Sequence, residues 1–481
     1  MLWCTIMGFL FQLLSSRLGI VTKQNLARAS RRAYPLHIRW ILWFTAEIAI
    51  IASDIPEVIG TAFALKLLFG LQLWIGIVIT ALDTILFLML QFFGMRILEL
   101  VIGTMVATIV VGFVIEMFMS KTPAGPVAYG LFVPQLSSRD SIYSALSLLG
   151  AVVMPHNLYL HSALVQSRDF GETDRGKKEA IFFNGLESGV ALSVSLLVNV
   201  AIIVLAGTYF YPNTTDIGLD NASELLANVF HGKWAGVIFG IALLASGQSS
   251  TITGTLAGQY VMDGYLEMRM PGWLRNLVTR GAAIAPSLII ALAFDEHGSD
   301  WLIVFSSVLL ALQLPFTLIP LLRITNDEQW MGREHVNSLM MQAIGWFLAA
   351  LVMGANIYLT VTQILNIFEN QAISKLARIS VMVCAGILAL IYVLFAIYLS
   401  CHPLKQNLPE GQEEGGGGCC GGGGGGGGGG CCGGGGGGGE GGDDNAEDET
   451  SFFTRHLIVN DEDEFTSDPF ESNALYTAMH R

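Results

Sequence analysis

Eleven apolar runs fill most of the first 400 residues, near positions 3–16, 37–69, 71–94, 97–119, 140–166, 180–207, 234–262, 281–295, 300–322, 338–363 and 378–400. Hydrocarbon offers no water to backbone N–H and C=O groups, so such a run must satisfy them internally, as a helix of roughly 17 to 25 residues. The runs predict an all-α polytopic membrane protein with about eleven transmembrane helices in residues 1–402. The run 37–69 counts as one span, tilted throughout or partly unwound at one end, because Asp54, Pro56, Glu57 and Gly60 interrupt it. The first run is apolar from Met1, with no basic leader and no small-residue cleavage site, and reads as a span and not a removable signal.

Only 13% of the residues are charged and 52% are hydrophobic, whereas soluble domains are about a quarter charged. The partner this composition demands is a lipid bilayer, and no nucleic-acid partner is expected. The net charge of −14 describes no real part of the molecule, since the acidic residues crowd after Glu410. Of the seven cysteines, four form two doublets within polyglycine and the others lie in or beside apolar segments, so no disulfide framework is implied.

Basic residues alternate between loops. Lys23, Arg28, Arg31 and Arg32, then Arg168, Arg175, Lys177 and Lys178, then Arg269, Arg275 and Arg280 mark loops expected in the cytosol. The loop 208–231 then falls on the other side, and it carries two glycosylation sequons, at Asn213 and Asn221. Eleven spans put the first residue outside and residues 403–481 in the cytosol as a disordered Gly-rich and acidic tail. Within it, Tyr476-Thr-Ala-Met479 has the form read by endocytic adaptors, and the protein is expected in the plasma membrane or a vacuolar or endosomal membrane.

Chemistry collects at three places inside the spans. In Ala151-Val-Val-Met-Pro-His-Asn157, Pro155 has no N–H and its ring clashes one turn back, so the helix should break there and free carbonyls such as that of Ala151 beside the Met154 thioether. A broken helix at membrane depth is how secondary transporters build ion sites, although a kinked helix with a core methionine would read the same way. His156 either couples metal to proton or hydrogen-bonds a freed carbonyl, while Asn157 and His161 read as gating or packing groups. Asp54 and Glu57, three apart on one helix face, form the second place. Two carboxylates desolvated together take and release protons readily, which points to a proton relay; the plainer reading is an ion pair with an arginine such as Arg280. The third is the polar island Ser246–Gln259, a packing seam on Gly254 and Gly258 or a binding element through Gln248. Gln313, two residues before Pro315, offers an amide oxygen to a metal or a bond to another helix.

With Ser53-Asp-Ile-Pro-Glu-Val-Ile-Gly60, Met154-Pro-His-Asn-Leu-Tyr-Leu-His161, Gly247-Gln-Ser-Ser-Thr-Ile-Thr-Gly254, Gly258-Gln-Tyr260 and Leu312-Gln-Leu-Pro315 in this order, the chain resembles the NRAMP family of proton-coupled divalent metal transporters, over about residues 1–400. Its plant-like or protist-like members look most similar. The resemblance implies a LeuT-type inverted-repeat fold, no enzymatic activity, no cofactor, and Mn²⁺, Fe²⁺ or related ions as substrate. It implies that Met154 and the Ala151 carbonyl bind the metal, that Gln313 joins them in the occluded state, and that Asp54, Glu57, His156 and Arg280 belong to the proton path. A thioether suits transition metals and is a poor ligand for Ca²⁺ or Mg²⁺, so Met154 would set selectivity.

The sequence departs from the family at two points. The Asp-Pro-Gly-Asn motif of the family's first helix, which supplies other metal ligands, is not among the 481 residues, and Pro56 stands where many relatives have glutamine. Either the sequence begins at an internal methionine of a longer gene, which is the expectation here because the remaining transport residues show little decay, or it is a shortened relative. The second case would leave a non-transporting membrane sensor or an inactive paralogue.

Overall fold

A computed structural model of the chain describes residues 1–80, 124–134, 139–168, 173–209, 233–267, 272–293, 295–369 and 375–405, with Gly171 and isolated positions between 103 and 117. All of these lie in one compact unit, Met1–Glu413. Asn213, Asn221, Tyr476 and the Gly-rich tail lie outside the described residues.

Every regular element among the described residues is a helix. In chain order these are α1 (Leu2–Thr22), α2 (Leu26–Ala33), α3 (Leu36–Phe69), α4 (Ala124–Phe132), α5 (Arg139–Val152) and α6 (Pro155–Leu164). They continue as α7 (Asp174–Tyr209), α8 (Lys233–Leu266), α9 (Gly272–Ala293), α10 (Asp295–Thr325), α11 (Glu328–Met331), α12 (Leu339–Glu369) and α13 (Lys375–Cys401). Seven segments among the described residues are long and apolar enough to cross a membrane, the α5–α6 pair counting as one. The helix at the start is longer than the run 3–16 suggested, because Arg17 does not end it. The guanidinium donates to Asn337 Oδ1 at 2.9 Å and to the His335 carbonyl at 2.7 Å, so its charge is accommodated within a continuing helix.

The run 37–69 is one unbroken helix of 34 residues with Pro56 inside it. Proline inside a membrane helix is tolerated where other groups take up what it releases. Pro315 in α10 shows the means. The carbonyl four residues earlier, Ala311, loses its helical donor, and Asn356 of α12 donates to it from Nδ2 at 2.8 Å. Asn356 is fully buried, and this bond joins α10 to α12 at the point of weakness.

The core is centred on α1, α2, the first half of α3, α6 and α10, with Phe11, Leu18, Tyr34, Leu42, Tyr159, Leu314 and Leu321 among its buried side chains. Small residues let the helices close together. A Cβ at Gly19 would strike the Ser162 carbonyl, and one at Gly150 would strike the Ser307 carbonyl and the Ala311 nitrogen. Because those obstacles are backbone atoms, they yield only if whole helices part. Gly150→Ala is therefore expected to destabilise the protein by about 1–3 kcal/mol. Gly354→Ala in α12, where the added carbon meets nothing, should be neutral or slightly stabilising. Thermal unfolding of the two variants in detergent, followed by intrinsic fluorescence, checks the contrast.

One end of the bundle gathers the charged contacts. Asn25 caps α2 by accepting from the Arg28 N–H at 2.8 Å, and Arg31 and Arg32 close its last turn, where cations suit the helix dipole. Arg31 pairs with Glu267, just past α8, and holds that carboxyl below the usual carboxylate range. Arg168 grips Glu187 with two bonds of 2.6 and 2.9 Å, Lys178 meets Glu334 at 2.6 Å, and Arg323 donates to the His402 carbonyl at 2.6 Å. Lys178 thus ties the second of these basic loops to Glu334, while Trp330 donates from Nε1 to the Lys405 carbonyl at 3.1 Å and the Lys405 N–H donates to the Ala33 carbonyl at 3.2 Å.

Candidate functional site

The helix containing Met154 breaks where its proline demands. α5 stops at Val152, Val153 and Met154 are non-helical, and α6 starts at Pro155, the position at which a missing N–H costs nothing. Met154 takes the N-cap place with extended backbone, φ −68° and ψ 121°. Pro155 also leaves the Ala151 carbonyl, in the last turn of α5, without its helical donor. Ala151 and the half-buried Met154 therefore flank one break, and the buried His156 and the half-buried Asn157 follow it in the first turn of α6.

Four contacts fix this break against its neighbours. Gly8 of α1 faces Val153, and Ser15 of α1 donates to the Leu158 carbonyl at 2.5 Å. On the other side, Gly150 abuts Ser307 and Ala311 of α10, and Tyr159 of α6 lies 3.5 Å from the Thr317 hydroxyl of α10. Along the chain Met154 lies between Gly150 and Tyr159, and Gln313 lies between their respective partners Ala311 and Thr317. Gln313 is buried, with its Oε1 accepting from Thr317 at 3.2 Å and its Nε2 without a partner. The amide of Asn157 donates from Nδ2 to the Met154 sulfur at 3.6 Å, while its Oδ1 is buried and accepts nothing.

Nothing along the chain announces the hydroxyl cluster that Gln313 joins through Thr317. Thr317, Tyr159 and Tyr265 come from α10, α6 and α8, all three at most 3% exposed, with the tyrosine hydroxyls 3.1 Å apart. Thr317 has one hydroxyl hydrogen and two acceptors in reach, Gln313 Oε1 and the Tyr159 hydroxyl, so holding one releases the other. Tyr159 lies inside the Met154–His161 motif, but nothing local marks Tyr265 or Thr317 as its partners.

The carboxylates form a second centre on α3. Asp54 is buried, and Glu57 Oε2 lies 4.0 Å from Nη2 of the buried Arg280 in α9. That separation is an ion pair without a hydrogen bond, and neither of the two atoms has another hydrogen-bond partner. α8 lies directly against this stretch. A Cβ on Gly247 would collide with Thr61 and approach the Glu57 carbonyl, and one on Gly254 would come to 3.0 Å from Asp54 Oδ1. The polar island is thus a close seam built on Gly247 and Gly254, with Gln248 half-buried in α8. His161 faces α7, its Nε2 3.4 Å from Ser188, and so bridges the helices on either side of a basic loop.

No group of three or more His, Cys, Asp or Glu side chains that could hold a metal occurs among the described residues. A metal at the break would meet instead a thioether, a backbone carbonyl and side-chain amides. That weak mixed set suits an ion that must leave again, whereas permanent structural sites close around theirs.

The profile of the natural resistance-associated macrophage protein-like family matches residues 1–362. The chain is 44% identical to "Metal transporter Nramp1" of Oryza sativa subsp. japonica, over 83% of this chain and 79% of that protein. It is 46% identical to "Metal transporter Nramp6" of Arabidopsis thaliana, over 77% and 72%. With the "Divalent metal cation transporter MntH" of Listeria monocytogenes it shares 45% identity, over 74% and 80%. Its backbone superposes on the Eremococcus coleocola manganese transporter with a TM-score of 0.74 and 30% identity, covering 82% of this chain and 85% of that one. A profile match over three quarters of the sequence, relatives above 40% identity and a shared helical architecture together show that the chain belongs to the natural resistance-associated macrophage protein (NRAMP) family.

Proposed function

We propose that this multi-pass integral membrane protein carries divalent transition metal ions, of the Mn²⁺ and Fe²⁺ type, together with protons, by alternating access around the break at Val153–Met154. Its relatives are metal transporters and not enzymes, and a carrier of this kind needs no cofactor, because the metal is its cargo. The observation that carries the reading is the placement of a thioether and a helix-freed carbonyl in one break, flanked by contacts to α10 at Ala311 and Thr317, between which the buried Gln313 lies in sequence.

The residues divide the work. Met154 and the Ala151 carbonyl take the metal from one side and Gln313 from the other. When Gln313 turns its oxygen to the ion, Thr317 is left to donate to Tyr159, which ties the ligand's position to the fit of α6 on α10. Protons use Asp54, Glu57, His156 and Arg280. When both carboxylates are ionised Arg280 offsets one of them, so arrival of a proton or of a cation relieves the same charge imbalance. The membrane is proposed to be the plasma membrane or an acidic vacuolar or endosomal one, which supplies the proton gradient.

Uptake into liposomes tests this directly. An acid-outside gradient should speed Mn²⁺ entry, adding Mn²⁺ should acidify the lumen, and a protonophore should remove the acceleration. Metal entry without accompanying acidification would refute coupling, and no movement of Mn²⁺ or Fe²⁺ under any gradient would refute transport.

A further inference from the structure

We propose that Asn157 is a specificity-determining residue of the metal site, tuning the Met154 thioether and adding an oxygen donor, so that the site favours harder ions such as Mn²⁺ over soft ions such as Cd²⁺. The inference rests on the reading of Met154 as a metal ligand. It begins from a contact that no helix geometry requires: Asn157 Nδ2 donates to Met154 Sδ at 3.6 Å. A thioether sulfur has two lone pairs and is a weak acceptor. One is taken by this N–H, which draws electron density from the sulfur and leaves the other for a cation. The opposite orientation of the amide would set oxygen lone pairs against sulfur lone pairs, so the contact also decides which way the carboxamide faces.

With the nitrogen committed to sulfur, Oδ1 is left over. It is buried and accepts no hydrogen bond, and such an orphan costs roughly 1–3 kcal/mol unless an occupant satisfies it. The backbone turn that closes Asn157 N–H onto the Met154 carbonyl at 3.2 Å keeps this side chain beside the thioether. A cation at Met154 therefore meets a weakened sulfur donor and a hard amide oxygen. Soft ions gain most from an unencumbered thioether and least from an amide oxygen, whereas Mn²⁺ is the reverse.

The test is the ratio of Mn²⁺ to Cd²⁺ affinity, measured by equilibrium binding to the purified protein and by the KM of uptake into liposomes. Taking both ions on the same sample cancels differences in folded amount. Asn157→Ala and the near-isosteric Asn157→Leu should both shift the ratio toward Cd²⁺, by about fivefold to tenfold. Asn157→Leu keeps the volume filled should the alanine variant fold poorly. An unchanged ratio in the variant that folds, while Met154→Ala does shift it, would overturn the role of Asn157 and leave the thioether site standing. If Met154→Ala leaves the ratio unchanged as well, both fall together.

Discussion

Replacing Met154 with alanine is expected to lower Mn²⁺ uptake at limiting concentration by at least about tenfold and to reduce discrimination against Ca²⁺ by a similar factor, since even outer-shell changes at metal sites cost this much. The expectation follows from ligand chemistry. Carbonyl and amide oxygens accept Ca²⁺ and Mn²⁺ alike, and with no cluster of three or more His, Cys, Asp or Glu among the described residues, the sulfur would be the group that tells them apart. The backbone break should survive, because Pro155 and not Met154 causes it, so the Ala151 carbonyl and Gln313 remain in place. Competition of Ca²⁺ against Mn²⁺ uptake gives the measurement, with Met154→Leu controlling for lost volume. Equal Ca²⁺ rejection in the wild type and both variants would remove the thioether from the site.

Glu57→Gln should produce two separable losses. The substitution leaves the Arg280 guanidinium buried, 5% exposed, without the carboxylate that faces it at 4.0 Å. Breaking a buried pair from one side costs about 3–5 kcal/mol, whereas replacing both partners by apolar groups is often close to neutral. Glu57→Gln should therefore lower the unfolding temperature markedly, and Glu57→Gln with Arg280→Met should recover much of it. Proton movement should not recover, because the double variant restores packing and not a titratable group. Luminal acidification on adding Mn²⁺, read beside thermal unfolding, separates the effects. A double variant that still acidifies the lumen would assign this pair to structure alone and leave the relay to Asp54 and His156.

Much of this was legible along the chain wherever the cause is local. Pro155 lacks an N–H whatever surrounds it, so the break before it, the Met154 N-cap position and the loss of a donor to the Ala151 carbonyl could all be read in advance. For the run 37–69 the same reasoning left two forms open, one tilted helix or a helix with a partly unwound end. Pro56 lacks its N–H too, but α3 stays continuous with α8 packed against it on Gly247 and Gly254, and only neighbours decide whether such a helix bends or opens. Arg17 was deceptive, since its charge is absorbed by Asn337 and the His335 carbonyl from a distant segment.

The sequence by itself determined that the chain is helical and membrane-embedded, where the Met154 helix breaks and which carboxylates share a face of α3, because these follow from transfer of residues into hydrocarbon and from fixed helical periodicity. Only the tertiary structure decided that Arg280 answers Glu57, that Asn356 repairs the carbonyl released by Pro315, and that Thr317, Tyr159 and Tyr265 gather with Gln313. In an apolar medium the hydrophobic effect does not choose partners among helices. That choice falls to small residues that admit close approach and to polar side chains that must find one another, and neither leaves a periodic trace in the chain.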